Sequence, residues 1–289
     1  MSTANITKIP HRCVLKIQAV YDTLKSAEKK AVDLILDKPE EIANSTINEF
    51  SDMAGCSEAT IVRVAKRLGY KGFPELKADF AENIKSEQYL EYEEINKTDD
   101  PFTIVKKVFD SSIAAINNTL DIINKKEYEK ALNALLGADK IMFCGIGDAA
   151  LVAMEAHQRF IRIGQNSLFS HDPDIQLIYS SQLKKGDALV AISYSGRSKT
   201  VIETVKTAKN SGSVIIAVTN FPVSPLTKRS DILLLTAAFS KYMTGEIISK
   251  RVAELCIVES LYINYLLKKG DNVMDILRKS NDVISINKL

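Results

Sequence analysis

Five short, near-continuous apolar runs, separated by stretches of helical character, constrain this chain most. They are Ile141–Cys144, Ser167–Ser170, Ala188–Ile192, Val214–Val218 and Ile232–Leu235. A strand that is apolar on both faces has to be covered on both, which is the condition of a parallel sheet wrapped by helices. Regular alternation of strand and helix points the same way. The expected fold of this part is an α/β domain with an open, mainly parallel five-stranded sheet and helices on both faces. A helix over Phe102–Ile123 leads into it, with Val105, Val108, Phe109, Ser112, Ile113 and Ile116 on one face. A long apolar-rich helix over about Glu246–Leu267 follows the last strand.

The segment Leu15–Gln88 reads as all-helical instead. Ala27, Ala31, Leu34 and Ile35 recur at helical spacing, and Pro39 stops that helix. Thr46-Ile47-Asn48-Glu49 is a capping box, in which hydroxyl and carboxylate each satisfy a backbone N–H at a helix start. Pro74 opens a further helix. Glu91–Pro101 is polar and acidic, and reads as a linker. The expected organisation is therefore an all-α domain over 1–90, a linker over 91–101, and the α/β domain with its leading helix over 102–289. A chain of 289 residues is long enough for two such cores.

Composition sets the outer limits. Hydrophobic residues make up 46% and charged residues 26%, with a net charge of +2, so no global basic field marks a nucleic-acid-coating protein. Cys13, Cys56, Cys144 and Cys256 form no Cys-x-x-Cys pair, which fits a reduced, cytoplasmic protein. His11, His157 and His171 have no metal-ligand spacing. No apolar run approaches the roughly 18 residues of a membrane span. No cofactor or metal is expected, and no membrane partner.

Residues 47–68 have the pattern of a helix-turn-helix. Counting from Ile47, the small Ser51 stands at the fifth position and Gly55 at the ninth, where a tight turn needs positive φ. Phe50, Ala54, Cys56, Ile61 and Val64 fall where two helices must pack. Ser57 is placed to cap the second helix. On that helix Ile61, Val64, Ala65 and Leu68 share one face, while Thr60, Arg63 and Arg67 share another beside Lys66. Arginine pairs bidentately with guanine, and threonine packs on a thymine methyl. Tyr70, Lys71 and Lys77 extend the patch toward phosphates. A solvated basic edge is the plain alternative. The coincidence of turn, cap, packing positions and basic face favours DNA, with Ser57, Thr60, Arg63, Lys66, Arg67, Tyr70 and Lys71 as contacts. Residues 1–96 together are net acidic, so affinity has to come from this local patch, helped by a dimer with two reading helices.

The run Ala188–Ile192 ends in Ser193-Tyr194-Ser195-Gly196-Arg197-Ser198. Small hydroxyl side chains, a glycine and free backbone N–H groups gather there just before a helix, an arrangement suited to a phosphate. A second loop, Gly145-Ile146-Gly147-Asp148, follows the strand Ile141–Cys144. Gly-x-Gly alone is weak, because the third glycine of a dinucleotide fingerprint is missing. Paired with Ser193–Ser198 on a neighbouring strand end, it indicates a cleft at the C-terminal edge of the sheet. Gly145, Gly147, Asp148, Ser193, Ser195, Ser198 and Glu246 are the expected ligand-binding residues. Asp148 has two readings, a hydrogen-bond acceptor for ligand hydroxyls or a helix N-cap. Glu246 is read as a first-turn glutamate or a ligand contact. Lys250 and Arg251 are within reach of an anionic ligand. No convincing catalytic set accompanies the loops.

Gly145-x-Gly147 with Ser193–Ser198, then Ile215–Asn220 and Ser224-Pro225-Leu226, resembles a sugar isomerase (SIS) domain. Glu58–Arg63 through Leu68–Phe73 resembles the helix-turn-helix of the RpiR/MurR transcription regulators. Both resemblances occur in that family's order and span roughly residues 15–268. They imply a cytoplasmic bacterial regulator of carbohydrate genes. Its operator DNA, of approximately palindromic sequence, is bound according to the level of a phosphorylated sugar, by a homodimer or homotetramer. Where family members commonly have Ser after Gly-x-Gly, this chain has Asp148 and Ala149. The competing expectation is an aldose–ketose sugar-phosphate isomerase with an accessory helical domain and Glu246 as its base.

Overall fold

The five apolar runs form one sheet in the computed structural model, which describes residues 24–85, 95–222, 224–238 and 249–287, together with 13, 16, 17 and 20. The chain divides into two compact units, Met1–Ser111 and Ser112–Leu289.

The first unit is helical. Its described helices are α1 (Ser26–Asp37), α2 (Pro39–Asn44), α3 (Ile47–Ala54), α4 (Glu58–Arg67) and α5 (Phe73–Lys85). The capping box at α3 is formed: Thr46 N–H donates to Glu49 at 2.7 Å and Glu49 N–H to Thr46 Oγ1 at 3.3 Å. Gly55 ends α3 with φ +61°, the left-handed turn that lets α4 fold back. Phe50, Ile61, Val64, Ala65 and Leu68 are buried between the helices, as their spacing requires.

Helix α6 (Pro101–Ile122) runs through the boundary between the units. Of the stretch read as a linker, residues 95–100 form a turn ahead of it. Asp100 caps it through the N–H groups of Phe102 and Thr103, and Asp99 pairs with Lys107 at 2.8 Å. Acidic residues that read as linker polarity thus have a helix-starting role.

The second unit continues with α7 (Lys125–Gly137), β1 (Lys140–Cys144), α8 (Asp148–Arg162), β2 (Asn166–Leu168), α9 (Pro173–Ser181), β3 (Ala188–Ile192) and α10 (Lys199–Asn210). β4 (Val214–Thr219), β5 (Ile232–Leu235), α11 (Lys250–Lys269) and α12 (Asp271–Ser285) complete it. The strands lie in the order β2-β1-β3-β4-β5, and all pairs are parallel. Alternate strand residues face two separate cores. Ile141, Phe143, Val190 and Ile216 pack with α7, α8 and α11, while Met142, Leu189, Ala191 and Ile215 pack with α10. This two-sided burial is what made the strands read as unbroken apolar runs.

Among the described residues no helix is long and apolar enough to cross a membrane. Residues 246–248, where the sequence placed the start of the last long helix, lie outside the described residues.

Candidate functional site

Helix α4 presents the basic face. Ser57 caps it, accepting from Thr60 N–H at 3.3 Å, and Ser57, Arg63, Lys66, Arg67 and Lys71 are exposed. Two of the arginines do not hang free. Arg63 Nε donates to Glu28 Oε1 at 2.9 Å, and Arg67 Nη1 donates to Glu28 Oε2 at 2.7 Å. Glu28, on α1, is 1% exposed, and its Oε2 also accepts from the Lys25 N–H at 2.9 Å. That backbone bond, with the two guanidinium partners, holds its carboxyl below the usual carboxylate range. One buried carboxylate therefore orients both arginines from beneath. Their side chains remain 56% and 34% exposed.

Thr60 and Tyr70 depart from the expected DNA-contact set. Thr60 is 4% exposed, with its Oγ1 3.0 Å from Ser57 Oγ and accepting from Arg63 Nη2 at 3.2 Å. Tyr70 is 7% exposed and donates to Asp79 at 2.6 Å, with the Lys16 ammonium over its ring. Both sit at the inner margin of the amphipathic pattern, where local partners fix them within the fold. Lys77 is also engaged, donating to the Ser45 carbonyl at 2.9 Å.

In the second unit, strand order reverses between β1 and β3, the place where an open α/β sheet leaves a crevice at its C-terminal edge. The Gly145–Gly147 loop leaves β1 there and enters α8, and the Ser193–Ser198 loop leaves β3 and enters α10. Between them lies a cavity of about 240 Å³, lined by Asp148, Ser193, Tyr194, Ser195 and Ser198 among others. Gly145 and Gly147 frame the first loop without lining the cavity. Gln176 Nε2 fixes that loop by donating to the Gly145 and Ser170 carbonyls at 3.0 and 2.9 Å.

The serine loop is tightly built. Gly196 N–H closes a turn on the Ser193 carbonyl at 3.1 Å, with φ +62° at Gly196. A Cβ there would lie 2.2 Å from Ser224 Oγ, so the loop needs glycine to rest on Ser224-Pro225-Leu226. Tyr194 OH donates to the Ala238 carbonyl at 2.9 Å, and the Tyr194 carbonyl accepts from Asn220 N–H at 3.0 Å. Ser198 stands at the N-cap of α10 with its side chain uncommitted to a capping bond, and the first turn holds no acidic residue. The first-turn N–H groups of α10 have no intrahelical acceptor. Hydroxyls, backbone donors and the positive helix end thus converge, the chemistry of an oxyanion site.

Gly147 is the N-cap of α8 and Asp148 its first residue, so Asp148 does not act as the cap. Its carboxylate bonds Lys250 Nζ at 2.9 Å and Arg251 Nη1 at 3.4 Å. The Lys250 bond is foremost in holding its carboxyl below the usual range. These two cations offset the repulsion that a bare carboxylate would exert on a phosphate dianion. Glu246 lies outside the described residues. His157 bonds Ser167 at 2.9 Å, and neither it nor His171 lines the cavity. Glu254, which the sequence analysis passed over, lines it beside Lys250.

Residues 12–87 match the helix-turn-helix domain of the rpiR family, and residues 134–264 match the SIS domain. An HTH-type transcriptional regulator of Caldanaerobacter subterraneus is 31% identical over 273 residues, covering 94% of this chain and 97% of the relative. The chain belongs to the RpiR family of helix-turn-helix transcriptional regulators. The regulator HexR of Pseudomonas aeruginosa is 27% identical, covering 91% of this chain and 92% of its own. Among solved structures, the Vibrio vulnificus NanR protein complexed with ManNAc-6P shares the fold with a TM-score of 0.61. It is 24% identical, with 96% of this chain and 99% of that one covered.

Proposed function

We propose that this regulator binds operator DNA through the exposed face of α4 and adjusts that binding to a phosphorylated sugar held in the cavity of the second unit. Arg63 and Arg67 read base edges in the major groove, while Ser57, Lys66 and Lys71 contact the backbone. A homodimer or homotetramer places two such helices on the half-sites of an approximate palindrome. We read the first unit as the DNA reader and the second as the effector sensor, working together in the cytoplasm.

The observation that carries the effector assignment is the convergence of Ser193, Ser195 and Ser198 on the open N-terminus of α10 at the strand-order reversal. The fold relative NanR, solved with ManNAc-6P, supports a phosphosugar in such a site. We assign the pocket to sensing, with no turnover of the sugar. A thermal-shift panel of sugar phosphates tests this directly. At least one should raise the melting temperature of the wild-type protein, its unphosphorylated sugar should not, and Ser195→Ala should abolish the shift. Stabilisation by sugars without phosphate and by none with it contradicts the assignment. Arg63→Ala should lower affinity for a duplex from the region upstream of its own gene by about tenfold, with the sugar-phosphate shift unchanged.

A further inference from the structure

Glu254 is 1% exposed, and neither carboxylate oxygen finds a hydrogen-bond partner among the described residues. It sits on the buried face of α11 with Ala253, Ile257 and Val258, yet it also lines the serine-loop cavity. The nearby cations are directed elsewhere: Lys250 and Arg251 bond Asp148. Leaving a buried acceptor unpaired costs free energy that an apolar side chain of similar size would not. A carboxyl at this position is explained if its donors arrive with the ligand.

We propose that Glu254 is the specificity residue of the sensor, accepting hydrogen bonds from two O–H or N–H donors on the carbon chain of the effector while the serine loop holds its phosphate. This deepens the phosphosugar reading and rests on it. The division of labour follows from chemistry. The serine loop and the start of α10 offer donors to an anion, whereas Glu254, its proton lost to solvent once ligand donors stabilise its carboxylate, offers two acceptor oxygens. The ligand class is thus a sugar phosphate with a donor pair at a distance from its phosphate. A hexose phosphate or an aminohexose phosphate supplies such a pair; an analogue lacking one of those groups does not. Burial pushes the pKa of the Glu254 carboxyl up to about 8, beside Asp148, Lys250, Arg251 and Tyr194. An incoming donor pair replaces the hydrogen bonds that water gave the group in the unfolded chain.

The test is isothermal titration of the full chain with the sugar phosphate that gives the largest thermal shift. Inorganic phosphate serves as a probe of the serine loop alone. Glu254→Gln keeps the shape of the side chain and should weaken the sugar phosphate at least tenfold, with inorganic phosphate affinity within twofold of wild type. Glu254→Met, which completes the apolar stripe, should show the same loss and gives a second folded variant. In a series of hexose 6-phosphates each lacking one hydroxyl, at least one analogue should bind wild type tenfold more weakly than its parent and lose that penalty in Glu254→Gln. An aminohexose 6-phosphate in the series separates N–H from O–H recognition. Unchanged sugar-phosphate affinity in either folded variant overturns the role of Glu254 and leaves the phosphosugar reading standing. Failure of the wild-type protein to bind any sugar phosphate overturns both.

Discussion

Among the described residues each unit buries one glutamate to the same extent, Glu28 and Glu254 both at 1% exposure, and the two are treated in opposite ways. Glu28 accepts from a backbone N–H and from two arginines, so its charge is retained and its geometry fixed. Glu254 accepts from nothing among the described residues and is pushed toward the protonated form. A satisfied buried carboxylate is a structural part, here the strut beneath the basic face of α4. An unsatisfied one at a cavity wall is a cost to the fold, of the kind found where a ligand completes the site. Neither glutamate is interpretable from burial alone; the partner set decides.

Removing the strut should have the largest effect. Glu28→Ala leaves the α1 cap and two guanidinium groups without their acceptor. Because the arginines are partly exposed and screened, the expected loss is about 2 kcal/mol of stability in the first unit, measured by urea unfolding with a probe in that unit. Affinity for the upstream duplex should fall by about tenfold or more as Arg63 and Arg67 lose their fixed orientation. Unchanged affinity would show that the strut does not serve DNA reading.

Gly196→Ala tests the sensor loop as a rigid object. The added Cβ would lie on Ser224 Oγ at a positive φ, so the turn has to shift. Sugar-phosphate affinity should drop about tenfold or more while DNA affinity without effector is kept. Equal effector binding would mean that the close approach to Ser224 is not what shapes the oxyanion site.

The smaller effect is the sharpest on the comparison. Glu28 has a folded-state pKa below its ordinary value. Its stabilisation is therefore present above the ordinary range and is lost as pH falls through the folded value. Glu254 has the reverse sign. Its pKa rises from 4.5 to about 8 on folding, so the folded state keeps a proton that the unfolded chain releases. That contribution is fullest below 4.5 and disappears as pH climbs to about 8. Glu254→Gln should therefore raise the melting temperature of the second unit by about 3 °C or more at pH 9, and by less at pH 5. An equal gain at both values would contradict the unpaired state of Glu254.

Most of this scaffold was legible because it rests on local rules. The limits of β3 and β5 follow from Ala188–Ile192 and Ile232–Leu235 as read, and Thr46, Gly55 and Ser57 set the helix-turn-helix through capping and turn geometry. β2 is shorter than Ser167–Ser170 because Ser170 turns away to hold Gln176 and the Asp172 N–H. The helix α12 was not foreseen, since Gly270 ends α11 and the following segment is largely polar. The two glutamates were missed for a different reason. Glu28 meets Arg63 across 35 residues, and Glu254 reaches the cavity only once α11 has packed on the sheet. A charged residue one turn after Lys250, inside an otherwise apolar stripe, was the available signal for Glu254.

If the serine-loop cavity is the input and the α4 face the output of one switch, a coupling free energy links them. Fluorescence anisotropy of the full chain on its upstream duplex, with and without the stabilising sugar phosphate, measures that coupling. DNA affinity should change at least roughly fivefold for the wild-type protein and not at all for Ser195→Ala. Identical DNA affinity with the cavity saturated and empty would contradict that coupling.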